Sequence, residues 1–130
     1  MIQTSCPFCI SDDSQVLKAN DHAVALLDGF PVTPGHSLIV PKRHICSFFE
    51  ATKEEQAALF DLLAQRRQQL LLADPCPDAF NIGINDGVAA GQTVMHMHIH
   101  LIPRYAGDTE DPRGGVRWIM PETAPYWKKH

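Results

Sequence analysis

The run His96-Met97-His98-Ile99-His100-Leu101-Ile102 restricts this chain more than any other stretch. Imidazole and apolar side chains alternate along it. Alternation with period two suits an extended strand, whose successive side chains point to opposite faces. The run therefore predicts a strand with His96, His98 and His100 on one face and Met97, Ile99 and Leu101 on the buried face. Its imidazoles stand roughly 6–7 Å apart on an extended backbone. A solvated strand face, a metal site, and a nucleophile with its helpers all fit such a row. The chain has seven histidines in 130 residues, too few for a His-x-His-x-His row to be expected by chance.

A chain of this length can bury one core, and 45% hydrophobic residues with a net charge of -4 suit a globular protein. The acid balance, with a pI near 5.9, argues against nucleic acid as a partner. No apolar run approaches the roughly 18 residues of a membrane span, so no membrane partner is expected. Met1 to Ser5 lacks the basic and apolar regions of a secretory leader, which predicts a cytoplasmic protein. In a reducing compartment Cys6, Cys9, Cys46 and Cys76 favour metal or catalytic roles over disulfides.

Cys6-Pro7-Phe8-Cys9 supplies two thiols at a spacing that suits half of a tetrahedral zinc site. A redox pair or two unremarkable cysteines are the alternatives; a redox motif would need a strand before it. Short strands are predicted over 15–19, His22 to Leu27 and His36 to Val40, the last with His36, Leu38 and Val40 on one face. Lys42-Arg43-His44 follows as a basic loop, in which His44 is either solvated or a missing metal ligand. Thr52 and Glu55 form a capping box before a long helix, with Ala58, Leu59, Leu62, Leu63 and Leu70 as its buried stripe. Gln65, Arg66, Gln68 and Gln69 read as its solvated side, and Asp74-Pro75-Cys76-Pro77 ends it. A fourth strand over 79–84 places Phe80, Ile82 and Ile84 on one face. Asn85-Asp86-Gly87 turns into a loop where Gly87 and Gly91 allow close approach of an anion. That loop is a plain connection or a phosphate cradle, and it leads directly into the histidine row. Val116 to Met120 reads as a short extended piece. The sum is an α+β domain: a mostly antiparallel five-stranded sheet with one long helix.

These residues resemble the histidine triad (HIT) family of nucleotide hydrolases and transferases. Its signature, His-φ-His-φ-His-φ-φ with φ apolar, matches His96 to Ile102 at every position. Gly35-His36-Ser37-Leu38-Ile39-Val40, Pro41-Lys42-Arg43-His44, Asn85-x-Gly87 and Gly91-Gln92-Thr93-Val94 are similar to family segments. The resemblance implies a single HIT domain over 1–130, with a core at 5–107 and a C-terminal extension at 108–130. Pro103-Arg104-Tyr105 and Arg113-Gly114-Gly115-Val116-Arg117 look most like bacterial members related to diadenosine polyphosphate hydrolases.

The resemblance also implies roles. His98 is the expected nucleophile on an α-phosphorus, His100 a hydrogen-bond donor to phosphate or leaving group, and His36 a support of that cluster. Thr93 and the loop amides are expected to stabilise phosphate charge, with Asn85, Gly91 and Gln92 as further contacts. Asp28 is expected on the ribose, and Phe8 and Leu26 on the base. Some relatives, and the galactose-1-phosphate uridylyltransferases, bind zinc through residues matching Cys6, Cys9, His44 and His96, which implies structural Zn2+. Family members commonly form homodimers through the helix and a sheet edge. The expected activity is cleavage of nucleoside phosphoanhydrides of the diadenosine polyphosphate type, with Arg113 and Arg117 on the polyphosphate tail. Adenosine phosphoramidate hydrolysis, a nucleotide-binding module with vestigial catalysis, and one metal held by all three triad histidines are the rivals. The last asks one ion to bridge backbones about 13 Å apart.

Overall fold

Five short apolar segments pair into one antiparallel sheet in a computed structural model that describes residues 6–9 and 13–128. They are β1 (Val16–Ala19), β2 (Ala23–Leu27), β3 (Ser37–Pro41), β4 (Ala79–Ile84) and β5 (Ile99–Arg104). The sheet order is β1-β2-β3-β5-β4, and every pairing is antiparallel. The helix α1 (Lys53–Leu71) joins β3 to β4. The last strand, β5, returns between those two and so becomes an inner strand carrying His100. Its inward residues Ile99 and Leu101 are buried. One sheet face, with Ala23, Ala25, Ile39 and Ile99, packs on Leu59 and Leu62 of α1. The other face carries Val24, Leu38 and Val40, covered by Phe8, Val16 and Leu26. The helix therefore occupies one face and leaves the histidine face to the N-terminal turn. Among the described residues no helix is long and apolar enough to cross a membrane.

The expected capping box closes in both directions. Thr52 Oγ1 accepts from the Glu55 amide at 3.0 Å, and Glu55 Oε1 accepts from the Thr52 amide at 2.8 Å. Arg43 also donates to both oxygens of the buried Glu55, at 2.7 and 3.1 Å. That hydrogen bonding holds the Glu55 carboxyl at about 2. The loop after β3 is thereby tied to the start of α1, which fixes the neighbouring His44. Thr52→Ala removes one half of the box and should cost about 1 kcal/mol, read from the midpoint of chemical denaturation.

Several segments depart from the sequence reading. The strand of the histidine run begins at Ile99, three residues late. Before it, the Met97 amide donates to the Ile45 carbonyl at 2.7 Å, and His96 Nε2 donates to the Pro41 carbonyl at 2.8 Å. Backbone partners in the 41–45 loop thus replace the sheet ladder, while Met97 stays buried with Ile99 and Leu101. Residues 13–15 form a 3-10 turn, so β1 starts at Val16. The piece expected to be extended at Val116 to Met120 is a 3-10 turn over Gly115–Ile119. Gly114 and Gly115, with φ of 89° and 42°, turn the chain through the left-handed region that favours glycine. Arg66 is not on a solvated side: it is half-buried and its Nε donates to Ser37 Oγ at 2.9 Å. It sits four residues from both Leu62 and Leu70, on the buried row itself, where a polar letter hid the periodicity.

Candidate active site and metal cluster

Six rings stand in a row across the histidine face: His44, His96, Phe8, His98, His100 and His36. Successive centroids are 4.8, 6.0, 5.0, 5.1 and 5.2 Å apart. Two thiols close one end of the row and Asp28 closes the other.

At the thiol end, His96 Nδ1 lies 3.4 Å from Cys6 Sγ and 3.3 Å from Cys9 Sγ, and His44 Nδ1 lies 2.8 Å from Cys9 Sγ. All four ligand atoms are within 4.8 Å of one another. A carbonyl only accepts, so the Pro41 contact puts the His96 proton on Nε2. Its Nδ1 lone pair then faces the sulfurs, as a second-sphere carbonyl arranges for a metal-bound imidazole. Two sulfurs and two nitrogens at this spacing fit a closed tetrahedral ion. Burial, followed by the neighbouring Cys9, pushes the Cys6 thiol up, and a cation among the four donors reverses that pressure.

At the other end the protons can be placed one by one. The His98 Nδ1–H donates to the His96 carbonyl at 2.8 Å, so the Nε2 of a neutral His98 carries its lone pair. The Val32 amide donates to His36 Nδ1 at 3.2 Å, leaving the His36 proton on Nε2. That nitrogen lies 2.9 Å from His100 Nδ1 and 3.4 Å from Asp28 Oδ2. His100 Nδ1 therefore accepts, and its own proton sits on Nε2. Burial first, then His98 and His36, depress His100 to about 4 against the pull of Asp28. Burial also lowers His36, opposed by Asp28. The cluster thus sets His98 Nε2, the ring nitrogen not committed to the His96 carbonyl, beside a neutral N–H donor on His100.

This arrangement has a pH signature. An unfolded histidine takes up its proton near 6.5, whereas His100 in the fold waits until about 4. Between those values the unfolded chain binds more protons, so stability falls as pH drops. The melting temperature should decline from about pH 6.5 towards about pH 4, and His100→Gln should flatten that limb.

The connection from β4 to the histidine run differs in part from expectation. Gly87 and Gly91 do take positive φ, 101° and 99°, and Gly91 is left-handed. However, the amides of Ala90, Gly91 and Gln92 turn inward onto the Gly87 and Val88 carbonyls. The side chain of Gln92 is buried: it accepts from the Gly87 amide at 2.9 Å and donates to the Cys46 and Val94 carbonyls at 2.8 and 3.1 Å. Gln92 thus braces the loop instead of presenting its amide to the cleft, because a loop this tight needs an internal partner for each polar group. Asn85 and Thr93 remain exposed at the ends of the loop. Phe8 and Leu26 do come together, on Val24, Leu38 and Val40, and Phe8 meets His98 edge-on. Asp28 Oδ1 accepts from the Phe30 amide at 2.8 Å, while Oδ2 faces His36.

The two arginines expected on a polyphosphate tail are engaged elsewhere. Arg113 pairs with Asp111 at 3.0 Å and lies over the Trp127 ring. Arg117 donates to the Ala124 and Thr123 carbonyls and lies over Tyr126. Both organise the C-terminal segment itself. What the sequence reading missed is the floor beyond His100. On β4, Gly83 pairs with His100 and Asn81 with Ile102. The alternation that placed Phe80, Ile82 and Ile84 on one face carried that signal for the residues between them. Together with His36, His100, Asn85 and Gly91 they line a cleft of about 840 Å³.

Comparison with known proteins agrees with this geometry. The HIT domain profile matches residues 11–107. The chain belongs to the HIT domain family. The fold superposes, with a TM-score of 0.73 and 31% identity, on the crystal structure of a Zn-bound histidine triad family protein from Mycobacterium smegmatis, covering 82% of this chain and 80% of that one. Adenylylsulfatase HINT3 of Arabidopsis thaliana is 37% identical over 82% of this chain. The asymmetrical bis(5'-nucleosyl)-tetraphosphatase of Schizosaccharomyces pombe is 39% identical over 73% of it. The matched stretches cover 56% and 52% of those two longer proteins.

Proposed function

We propose that this protein cleaves nucleoside phosphoanhydrides, of the diadenosine polyphosphate type, through a covalent nucleotidyl-histidine on His98. The observation that carries the reading is the placement of protons: His98 Nδ1–H is held by the His96 carbonyl at 2.8 Å, so Nε2 is the nucleophile. Nε2 attacks the α-phosphorus, the P–O bond to the leaving group breaks, and its electron pair departs with that oxygen. The His96 carbonyl stabilises the positive charge that appears on the phosphorylated ring. Water then attacks phosphorus, the N–P bond breaks, and the proton goes to solvent as nucleoside monophosphate leaves. Thr93, Asn85 and the His100 N–H suit the phosphate oxygens, Asp28 the ribose, and Phe8 with Leu26 the base. His100, held neutral with its value at about 4, is a hydrogen-bond donor and a weak acid. That favours leaving groups that depart as anions over the amine of a phosphoramidate, which must be protonated.

Cys6, Cys9, His44 and His96 would hold structural Zn2+, which supplies a cross-link and no open coordination position. The reading also takes the chain as one HIT domain that pairs with a second copy, supported by the position of β4 at the sheet edge. The test is to quench turnover of diadenosine tetraphosphate and measure intact and peptide masses. An adenylyl group on His98 is expected. Product formation without any adduct at that residue in single-turnover samples sinks the covalent route.

A further inference from the structure

The cleft beside His100 has a wall that the HIT domain match does not include. That match ends at residue 107, and the wall comes from the turn at Gly115–Ile119. Trp118, Ile119 and Met120 line the same cleft as His36 and His100. They are large apolar side chains left 42%, 79% and 63% exposed. The turn is not a loose tail. Trp118 Nε1 donates to the Arg113 carbonyl at 2.7 Å, and Arg117 is bonded to two carbonyls downstream. The floor facing the wall is open, since a Cβ added at Gly83 would meet nothing within 4 Å.

A second apolar surface, Phe8 and Leu26 on Val24 and Leu38, lies over the opposite half of the sheet. His98 and His100 stand between the two. We infer that the wall at 115–120 is a subsite for the leaving nucleoside, with Trp118 stacking on its base, and that the enzyme thereby selects dinucleoside polyphosphates over adenylyl donors with small leaving groups. This rests on the adenylyl-transfer reading above and assigns the residues that select its leaving group. Base–aromatic stacking is tolerant of base identity, so the wall accepts a leaving guanosine as well as a leaving adenosine. In the reaction, the Nε2–P bond to His98 forms, the α-P–O bond breaks, and the leaving nucleoside polyphosphate carries the electron pair away as an anion along the wall.

The test compares two substrates that yield the same adenylylated His98: diadenosine tetraphosphate and adenosine 5'-phosphosulfate. Trp118→Ala should lower the ratio of their kcat/KM values about tenfold, in the range base stacking provides. Trp118→Phe should restore most of it, and Ile119→Ser, at an exposed position, should lower it about threefold. Trp118→Ala leaving the ratio within twofold of the parent, or depressing both substrates equally, overturns the subsite while leaving the adenylyl-transfer reading intact. A changed sedimentation coefficient with an unchanged ratio also overturns it, assigning the wall to an interface. A parent that cleaves neither substrate and forms no adduct overturns both readings.

Discussion

His98→Ala should reduce kcat for diadenosine tetraphosphate by about 10⁴-fold or more, and it should abolish the adenylylated protein. Removing a nucleophile takes away the covalent route altogether, leaving only binding and phosphate stabilisation. The mutation should change affinity for adenosine monophosphate far less than it changes turnover, because Asp28, Phe8 and the loop remain. The ring packs against Phe8 and His100, so alanine leaves a void; His98→Gln keeps most of the volume and serves as the control for packing. Both variants should be equally inactive, while glutamine should melt closer to the parent. A His98→Gln enzyme that retains even a tenth of the parent rate shows that another group attacks phosphorus.

The second large effect is expected at the cysteines. Cys6→Ser with Cys9→Ser should remove one zinc per chain, measured by elemental analysis. Metal that binds only the folded chain stabilises it by about 4 kcal/mol at a thousandfold excess over its dissociation constant. The parent treated with a strong chelator should melt like the double variant, and the double variant should no longer respond to zinc. Retained zinc, together with activity lost to the chelator, points instead to an ion on the triad. The geometry favours the thiols because His96 Nδ1 faces Cys6 and Cys9 while His100 Nδ1 faces His36.

The architecture was largely legible in the residues. An apolar run ending at a turn locates β2, alternation locates β3 and β4, and the capping box locates the start of α1. The same alternation misplaced the start of β5. It reports which side chains face the core, and Met97 does, but it cannot report whether the backbone finds its partner in a strand or in the carbonyls of Pro41 and Ile45. Arg66 departs from its pattern for a related reason: its position on the helix is half-buried, and the hydroxyl of Ser37, 29 residues earlier, together with the Gln69 side-chain oxygen, makes that tolerable. At the site, side-chain chemistry was visible and proton placement was not. The tautomers of His36, His96 and His98 are each set by a backbone group, and a backbone group has the same letter everywhere. Arg113 and Arg117 show the converse, polar side chains whose partners lie in their own segment, and Gln92 divides its bonds between its own loop and the Cys46 carbonyl.

One peptide unit links the two ends of the ring row. The ring of His96 faces the thiols, and the carbonyl of the same residue holds the His98 proton. The reach from the His96 ring to the His98 ring is set by the length of this segment. Inserting or deleting a single residue between His96 and His98 would rotate the His98 ring away from Phe8 and His100 and part it from the thiol-bearing N-terminal turn in one step. The three-letter spacing His-x-His is thus a tolerance as much as a motif: substitutions are filtered residue by residue, whereas a change of phase is rejected whole.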